Sequence, residues 1–426
     1  MSEWETYRVG GLIADGKLTI NDGYRAKNVE LSTSGVPFAR AANINNGFHF
    51  DGTDRFPSAR LPEIGIKVSK SGDVVFTSKG TVGRFAFVAD DIETFVYSPQ
   101  LCFWRSNDWD FIDPRFLFFW MRGPEFFAQY MRVKGQTDMA DYVSLTDQRR
   151  MQISLPSIDT QREIAHILGT LDDKIDLNRR MNATLEEMAR ALFKSWFVDF
   201  DPVRAKAEGR DPVGMDAETA ALFPDGFEES TLGPIPRGWR VGSLGEVSFN
   251  VRQNITTDAM SSDTAYIGLE HMPRGSIALS DWSHAGDLES NKSSFSKGDL
   301  LFGKLRPYFK KVGIAPMDGV CSTDILVIRP ANVAWRSYVL SWISSDRLID
   351  HTTALSSGTR MPRAKWQDIS NFTVALPTRE VASTFERQVT PMIDTIVANI
   401  YEDKALAEMR DALLPRLMRG ELVGVG

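Results

Sequence analysis

The side chains best placed for chemistry in this chain are cations gathered in turns. Lys304-Leu305-Arg306-Pro307-Tyr308-Phe309-Lys310-Lys311 sets four cations around an aromatic ring, directly after a strand-like run. Ser357-Gly358-Thr359-Arg360-Met361-Pro362-Arg363-Ala364-Lys365 adds Arg360, Arg363 and Lys365. Nearer the N-terminus, Ser78-Lys79-Gly80-Thr81-Val82-Gly83-Arg84 offers Lys79 and Arg84, and Lys134-Gly135-Gln136-Thr137-Asp138 offers Lys134 and Gln136. Lysine and arginine bind phosphate oxygens and guanine edges, glutamine pairs with adenine, and glycine lets the backbone approach a phosphate. One such turn alone is ordinary solvated surface. Matched turns in two parts of one chain make a candidate nucleic-acid interface.

Groups suited to catalysis do not assemble in the same way. No Pro-Pro pair occurs, so the Asp/Asn-Pro-Pro-aromatic motif of amino-methyltransferases is missing. Gly11-Leu12-Ile13-Ala14-Asp15-Gly16-Lys17 resembles a phosphate-binding loop until Leu18 stands where the Mg²⁺-binding Ser or Thr belongs, so a strand and turn is expected there. Asp172-Asp173 and Glu186-Glu187 are adjacent carboxylates that point in different directions on a helix, hence an expected solvated face. Asp225, after Pro224, has no acidic-x-Lys partner for a nuclease centre. The five histidines are scattered, and Cys102 and Cys321 sit in apolar runs, which suits buried thiols and not a metal site. Neither a catalytic residue nor a metal or cofactor is expected in the chain.

The elements that must position the turns come in duplicate. Leu155-Pro156 is matched by Leu376-Pro377, Trp120 by Trp342, and Tyr97-Ser98 through Arg105 by Cys321-Ser322 through Arg329. Gly72-Asp73-Val74-Val75-Phe76 is matched by Gly298-Asp299-Leu300-Leu301-Phe302, and Arg8-Val9-Gly10-Gly11-Leu12 by Arg240-Val241-Gly242-Ser243-Leu244. Five matches in the same order indicate an internal repeat. Asp73–Phe76 and Phe85–Val88 read as short strands, and Pro114–Met131 as one buried helix whose Phe116, Phe119, Trp120, Phe126, Phe127 and Tyr130 belong to the core.

A long heptad helix follows each copy. Thr160-Gln161-Arg162-Glu163 has the form of a capping box. Ile164, Leu171, Asn178, Leu185 and Leu192 then recur every seven residues, flanked by Ile167, Leu168, Ile175, Met181 and Met188. Phe385, Met392, Asn399, Leu406 and Leu413 repeat the spacing 221 residues later. A sustained heptad packs against another helix, and Thr160 to Phe197 would span ~57 Å at ~1.5 Å per residue. If the helices run antiparallel, Asn178 and Asn399 meet at the midpoint and their amides bond each other, fixing register. Pro391 predicts a kink or a late helix start, and Pro415 with Gly420 the end.

Length calls for two or more domains. The net charge of −7 is uneven: residues 156–236 hold 9 Lys+Arg against 16 Asp+Glu, whereas 237–377 hold 16 against 13. The acidity therefore sits in one middle stretch, which leaves basic patches elsewhere free to meet phosphate. Nothing approaches 18 apolar residues in a row, and the N-terminus lacks the features of a secretory signal, so a cytoplasmic protein without a membrane partner is expected.

These stretches, with Leu305-Arg306-Pro307-Tyr308, Ser357-Gly358-Thr359 and the Gln161-Arg162-Glu163-Ile164 helix start, resemble the specificity (HsdS) subunits of Type I restriction–modification systems. The most specific match is Trp196-Phe197-Val198-Asp199-Phe200-Asp201-Pro202-Val203-Arg204-Ala205-Lys206-Ala207-Glu208-Gly209, followed by Leu232-Gly233-Pro234-Ile235-Pro236-Arg237-Gly238-Trp239. The resemblance implies an α+β chain of two pseudo-repeated mixed α/β target-recognition domains, separated by two long antiparallel helices forming a coiled coil. The corresponding division is residues 1–156 and 237–377 for the domains, 157–198 and 378–420 for the helices, and 199–236 for a connecting strap. It implies reading of a bipartite, asymmetric double-stranded DNA target on behalf of two modification (methyltransferase) subunits, which use S-adenosylmethionine. Two restriction subunits, which use ATP with Mg²⁺, are further implied partners. The alternative from residues alone is a coiled-coil scaffold that binds protein partners and not DNA.

Overall fold

The computed structural model describes residues 4–421 other than 46, 79–82, 134–142, 257, 259, 289 and 357–360. It divides into two compact units, Met1–Lys174 with Leu406–Gly426, and Ile175–Ala405.

In the first unit, β-branched and aromatic runs form the strands. An antiparallel sheet has the order Leu18–Asp22, Leu101–Ser106, Val74–Thr77, Phe85–Phe87, with its two central strands wholly buried. A two-stranded ribbon, Glu5–Arg8 with Gln152–Leu155, lies outside it. The expected helix over Pro114–Met131 is two helices, Pro114–Arg122 and Pro124–Val133. Gly123 ends the first, and Pro124, which needs no intrahelical N–H partner, opens the second. Phe116, Phe119, Trp120, Phe126 and Tyr130 are core, whereas Phe127 is 37% exposed.

The second unit has the same strand order: Ser248–Val251, Ile325–Pro330, Leu300–Gly303, Val312–Ile314, all antiparallel. Its ribbon is Arg240–Ser243 with Thr373–Leu376. Glu5 pairs with Leu155 and Arg240 with Leu376, so Glu5 and Arg240 are counterparts, and the match of Arg8 to Arg240 is out by three residues. The hydrogen bonds agree: Val9 N donates to Met151 O at 3.0 Å and Leu244 N to Phe372 O at 3.1 Å. The two stretches share glycines but not strand register.

Each sheet holds the same ion pair. Asp73 is fully buried and accepts from Arg105 Nε at 2.6 Å and Nη2 at 2.7 Å, from Tyr97 Oη at 2.6 Å and from Lys70 N at 2.9 Å. Asp299 accepts from Arg329 Nε at 2.6 Å and Nη2 at 2.7 Å, and from Ser296 N at 2.8 Å. Burial, and then the Asp73 charge, hold the Tyr97 phenol well above its ordinary value.

The long helices are Ile158–Phe197 and Arg379–Leu417. The first starts two residues before Thr160, and Ser157 Oγ accepts from Thr160 N at 3.3 Å, so Ser157 takes the capping role expected of Thr160. The second runs through Pro391 and does not start after it; twelve residues precede the proline, whose lost N–H is a local defect in a well-packed helix. In the second unit the helix segments are antiparallel: Phe197 stacks edge-on against Phe385 at 4.9 Å, while Asn178 lies by Glu402 and Asp403. In the first unit Arg410 reaches Asp172 at 2.6 Å.

Of the predicted seam, Ile164, Asn178, Phe385 and Asn399 are buried; Leu171, Leu185, Leu192, Met392, Leu406 and Leu413 are half-buried. The flanking row is Leu168, Ile175, Asn182, Ala189 and Trp196, all buried, while the expected Ile167, Met181 and Met188 are exposed. The asparagine pairing is corrected as well. Asn178 Nδ2 donates to Glu402 at 2.7 Å and Asp403 at 2.9 Å, and Asn399 Nδ2 donates to Asn182 at 2.8 Å. The stagger between helices sets each amide opposite the other helix's next turn. Of the paired carboxylates, Asp173 and Glu187 are exposed as expected, whereas Asp172 and Glu186 are not on a solvated face. Asp172 also takes a bond from Arg122 at 2.7 Å, and Glu186 is buried. Burial pushes the Glu186 carboxyl up, against the opposing pull of Ser276, Ile277 and Arg190.

The strap forms short helices at Asp201–Ala207 and Ala217–Ala221 and a small ribbon, Phe227–Glu228 with Ile235–Pro236. Its Phe223 and Ile235, with Trp239 just beyond it, enter the core that contains Trp196 and Phe197. Cys102 and Cys321 are buried thiols. Among the described residues no helix is long and apolar enough to cross a membrane.

Candidate nucleic-acid interface

The basic turn of the second unit is mounted on main-chain hydrogen bonds. Lys304 N donates to Asp324 O at 2.8 Å, Ala364 N to Lys304 O at 2.9 Å, and Arg306 N to Pro362 O at 2.8 Å. An isolated bridge between Leu305 and Arg363 brings the turn beside the predicted second basic loop. Within it, Arg306 and Lys310 have φ of 52° and 50°, bracketing a tight Pro307–Phe309 turn. Left-handed backbone at two non-glycine residues costs on the order of 1–2 kcal/mol each and persists only where the surroundings over-determine it. Here the surrounding hydrogen bonds do so.

The juxtaposition gathers Lys304, Arg306, Arg363 and Lys365 on two adjoining loops. Tyr308 is 46% exposed at the tip, its ring edge-on to Phe309 at 4.8 Å. Arg363 is 3.3 Å from Asp324. Of the two remaining lysines, Lys310 pairs with Asp346 at the surface, and Lys311 turns inward to donate to Leu269 O. Desolvation, and then the charge of Arg274, lower the Lys311 pKa. Arg274, absent from the sequence expectation, stacks over the Phe309 ring 3.8 Å from its centroid. Its only sequence signal is a Pro273-Arg274-Gly275 turn.

The first unit repeats the mount. Ser78 N donates to Gln100 O at 2.9 Å, and Val143 N to Ser78 O at 3.4 Å. Ser78 thus occupies the place of Lys304, Gln100 that of Asp324, and Val143 that of Ala364. Arg84 Nη1 reaches the carbonyls of Ile44 at 3.3 Å and Ala41 at 3.5 Å, which directs it along its own unit. Lys79, Lys134, Gln136 and Arg360 lie outside the described residues. Among the described residues, no group of three or more His, Cys, Asp or Glu side chains is placed to hold a metal ion.

A sheet present in two copies, each with the matched mount and the second with the basic turn upon it, together with long heptad helices, defines a repeat-built protein. Residues 1–187 match the family described as Type I restriction modification DNA specificity domain. The chain is 26% identical to the Type I restriction enzyme HindI specificity subunit of Haemophilus influenzae, with 99% of this chain and all of that one covered. It is 23% identical to the EcoDI specificity subunit of Escherichia coli, covering 99% of this chain and 89% of that one. The crystal structure of a Type I restriction–modification S subunit from M. genitalium shares the fold, with a TM-score of 0.55 at 11% identity, covering 98% of this chain and 96% of that one. Over nearly its whole length the chain is similar to specificity subunits of Type I restriction–modification systems, and its residues 1–187 match their DNA specificity domain.

Proposed function

We propose that this chain recognises a specific double-stranded DNA sequence for a Type I restriction–modification complex, each sheet unit reading one half of a split target. The observation that carries the reading is the matched main-chain mount at Ser78 and Lys304, with the second copy presenting Lys304, Arg306, Arg363 and Lys365. Phosphate contacts from such cations supply affinity, and base-edge contacts from the same turns supply specificity. The long helices act as a spacer. At ~1.5 Å per residue the 40 residues of Ile158–Phe197 measure ~60 Å, longer than one ~34 Å turn of DNA.

The chain supplies recognition and no catalytic centre. Two modification subunits transfer methyl groups from S-adenosylmethionine to adenine at the site it selects. Restriction subunits, in a cell that has them, add ATP- and Mg²⁺-dependent cleavage. The test is to map methylated adenines in DNA treated with the reconstituted methyltransferase complex. Wild type gives one split sequence. Lys304→Ala with Arg306→Ala loses specificity in one half only and lowers the salt slope of DNA binding by roughly two. Unchanged methylation sites in that variant, or binding insensitive to salt, would favour a protein-binding scaffold.

A further inference from the structure

The second unit contains a continuous link from the first long helix to the basic turn, and it is built from groups that look superfluous to either. Glu186 projects from the helix and is only 4% exposed. Its carboxylate accepts from Ser276 Oγ at 2.6 Å and Ile277 N at 3.1 Å, both on the loop before the bridge at Ala278, and from Arg190 at 2.8 Å. Arg190, one helical turn on, also donates to Gly275 O at 2.7 Å. Gly275 N in turn donates to Lys310 O at 3.1 Å, inside the basic turn. The residue before it, Arg274, lies over Phe309 of that turn, and Arg306 approaches the same ring from 6.0 Å.

The energetics favour a load path over incidental packing. Burying a carboxylate is costly unless it is fully hydrogen-bonded, and charge-assisted bonds are roughly twice as strong as neutral ones. The helix needs none of this for its own backbone, which is satisfied internally. The acceptors are spent on a loop that bridges to Ile314 on one side and meets the carbonyl of Lys310 and the ring of Phe309 on the other. Those two residues sit within the segment held in left-handed backbone at Arg306 and Lys310. An arginine over an aromatic face contributes about 0.5–2 kcal/mol, enough to choose between nearby loop positions.

We propose that Glu186, Arg190 and Arg274 are positioning residues: they tie the helix to the recognition turn, so that the helix dictates where Lys304 and Arg306 meet DNA. This rests on the DNA-recognition reading above. Glu186 itself is buried away from any nucleic acid and acts only through the loop.

The experiment uses the full chain assembled with its modification subunits, and measures binding to the cognate duplex and to duplexes altered in each half. The variants are Glu186→Gln, Arg274→Ala and the two together. Glutamine keeps the shape and one oxygen for Arg190 and Ile277, which share it, but it removes the charge that strengthens those bonds and turns an N–H donor toward Ser276 Oγ, where an acceptor stood. Each single variant is expected to lose about tenfold of the discrimination against one altered half, with the other half's discrimination intact and the unfolding midpoint held. The double variant is expected to be no worse than the weaker single one, because both break one path. Full discrimination in Glu186→Gln overturns the proposal. So does an additive loss of about a hundredfold in the double variant, which would make Arg274 a direct DNA contact. Lys304→Ala with Arg306→Ala separates the layers: if that pair leaves binding unchanged, the DNA-recognition reading has failed, and if only Glu186→Gln is silent, the positioning path alone has failed.

Discussion

The twin ion pairs permit a stability experiment with an internal control. Asp73→Ala removes an acceptor from four hydrogen bonds and strands Arg105, whose side chain is 9% exposed, within the first unit. Breaking a buried pair by deleting one partner costs about 3–5 kcal/mol, because the surviving charge stays desolvated. Asp299→Ala removes three hydrogen bonds, but Arg329 is 39% exposed and can turn to water. Screening and hydration reduce that loss to roughly 1–2 kcal/mol. The two units are unsuited to a single two-state fit, so hydrogen exchange under increasing urea should be read on peptides from Val74–Thr77 and Leu300–Gly303. The expected result is a loss of protection in the first unit at least twice that in the second. Replacing both partners, Asp73→Leu with Arg105→Met, should recover much of the deficit. An Asp299→Ala effect equal to or greater than that of Asp73→Ala would refute the burial argument.

Two further outcomes follow from the same contacts. Asn399→Ala leaves the Asn182 amide buried without its partner and should cost about 1–3 kcal/mol, whereas Asn399→Leu with Asn182→Leu should be near neutral in a urea titration; equal losses would mean the amides are not coupled. Burial pushes the Cys321 thiol up to about 12, and Cys102 is buried as well, so neither should react with Ellman's reagent at pH 8 until guanidinium is added. Release of one equivalent from the native chain would contradict that placement.

Features set by local spacing were legible in the sequence; those set by long-range stagger were not. The heptad residues Ile164, Asn178, Phe385 and Asn399 sit at buried positions because a seven-residue period leaves little choice of face. Which residue each asparagine would meet depends on how far one helix slides along the other, and no spacing within either helix encodes that. Gly123-Pro124 is a visible breaker that the aromatic period around it outweighed. Glu186 reads as surface because its partners, Ser276 and Ile277, lie ninety residues away in sequence. The basic turns stood out by composition, and the Leu305–Arg363 bridge joins two of them. Arg274 did not stand out, since a single arginine beside a glycine carries no pattern until Phe309 is folded beneath it.

The mount at Ser78 and at Lys304 is made of amide and carbonyl groups alone. Such bonds do not depend on which side chain the mounted residue bears, and the two copies already differ there, serine in one and lysine in the other. Exchange of residues along these turns therefore leaves the supporting framework intact. A chain of this design can drift from one preferred partner sequence to another by substitution at the tip, without passing through an unfolded intermediate ancestor.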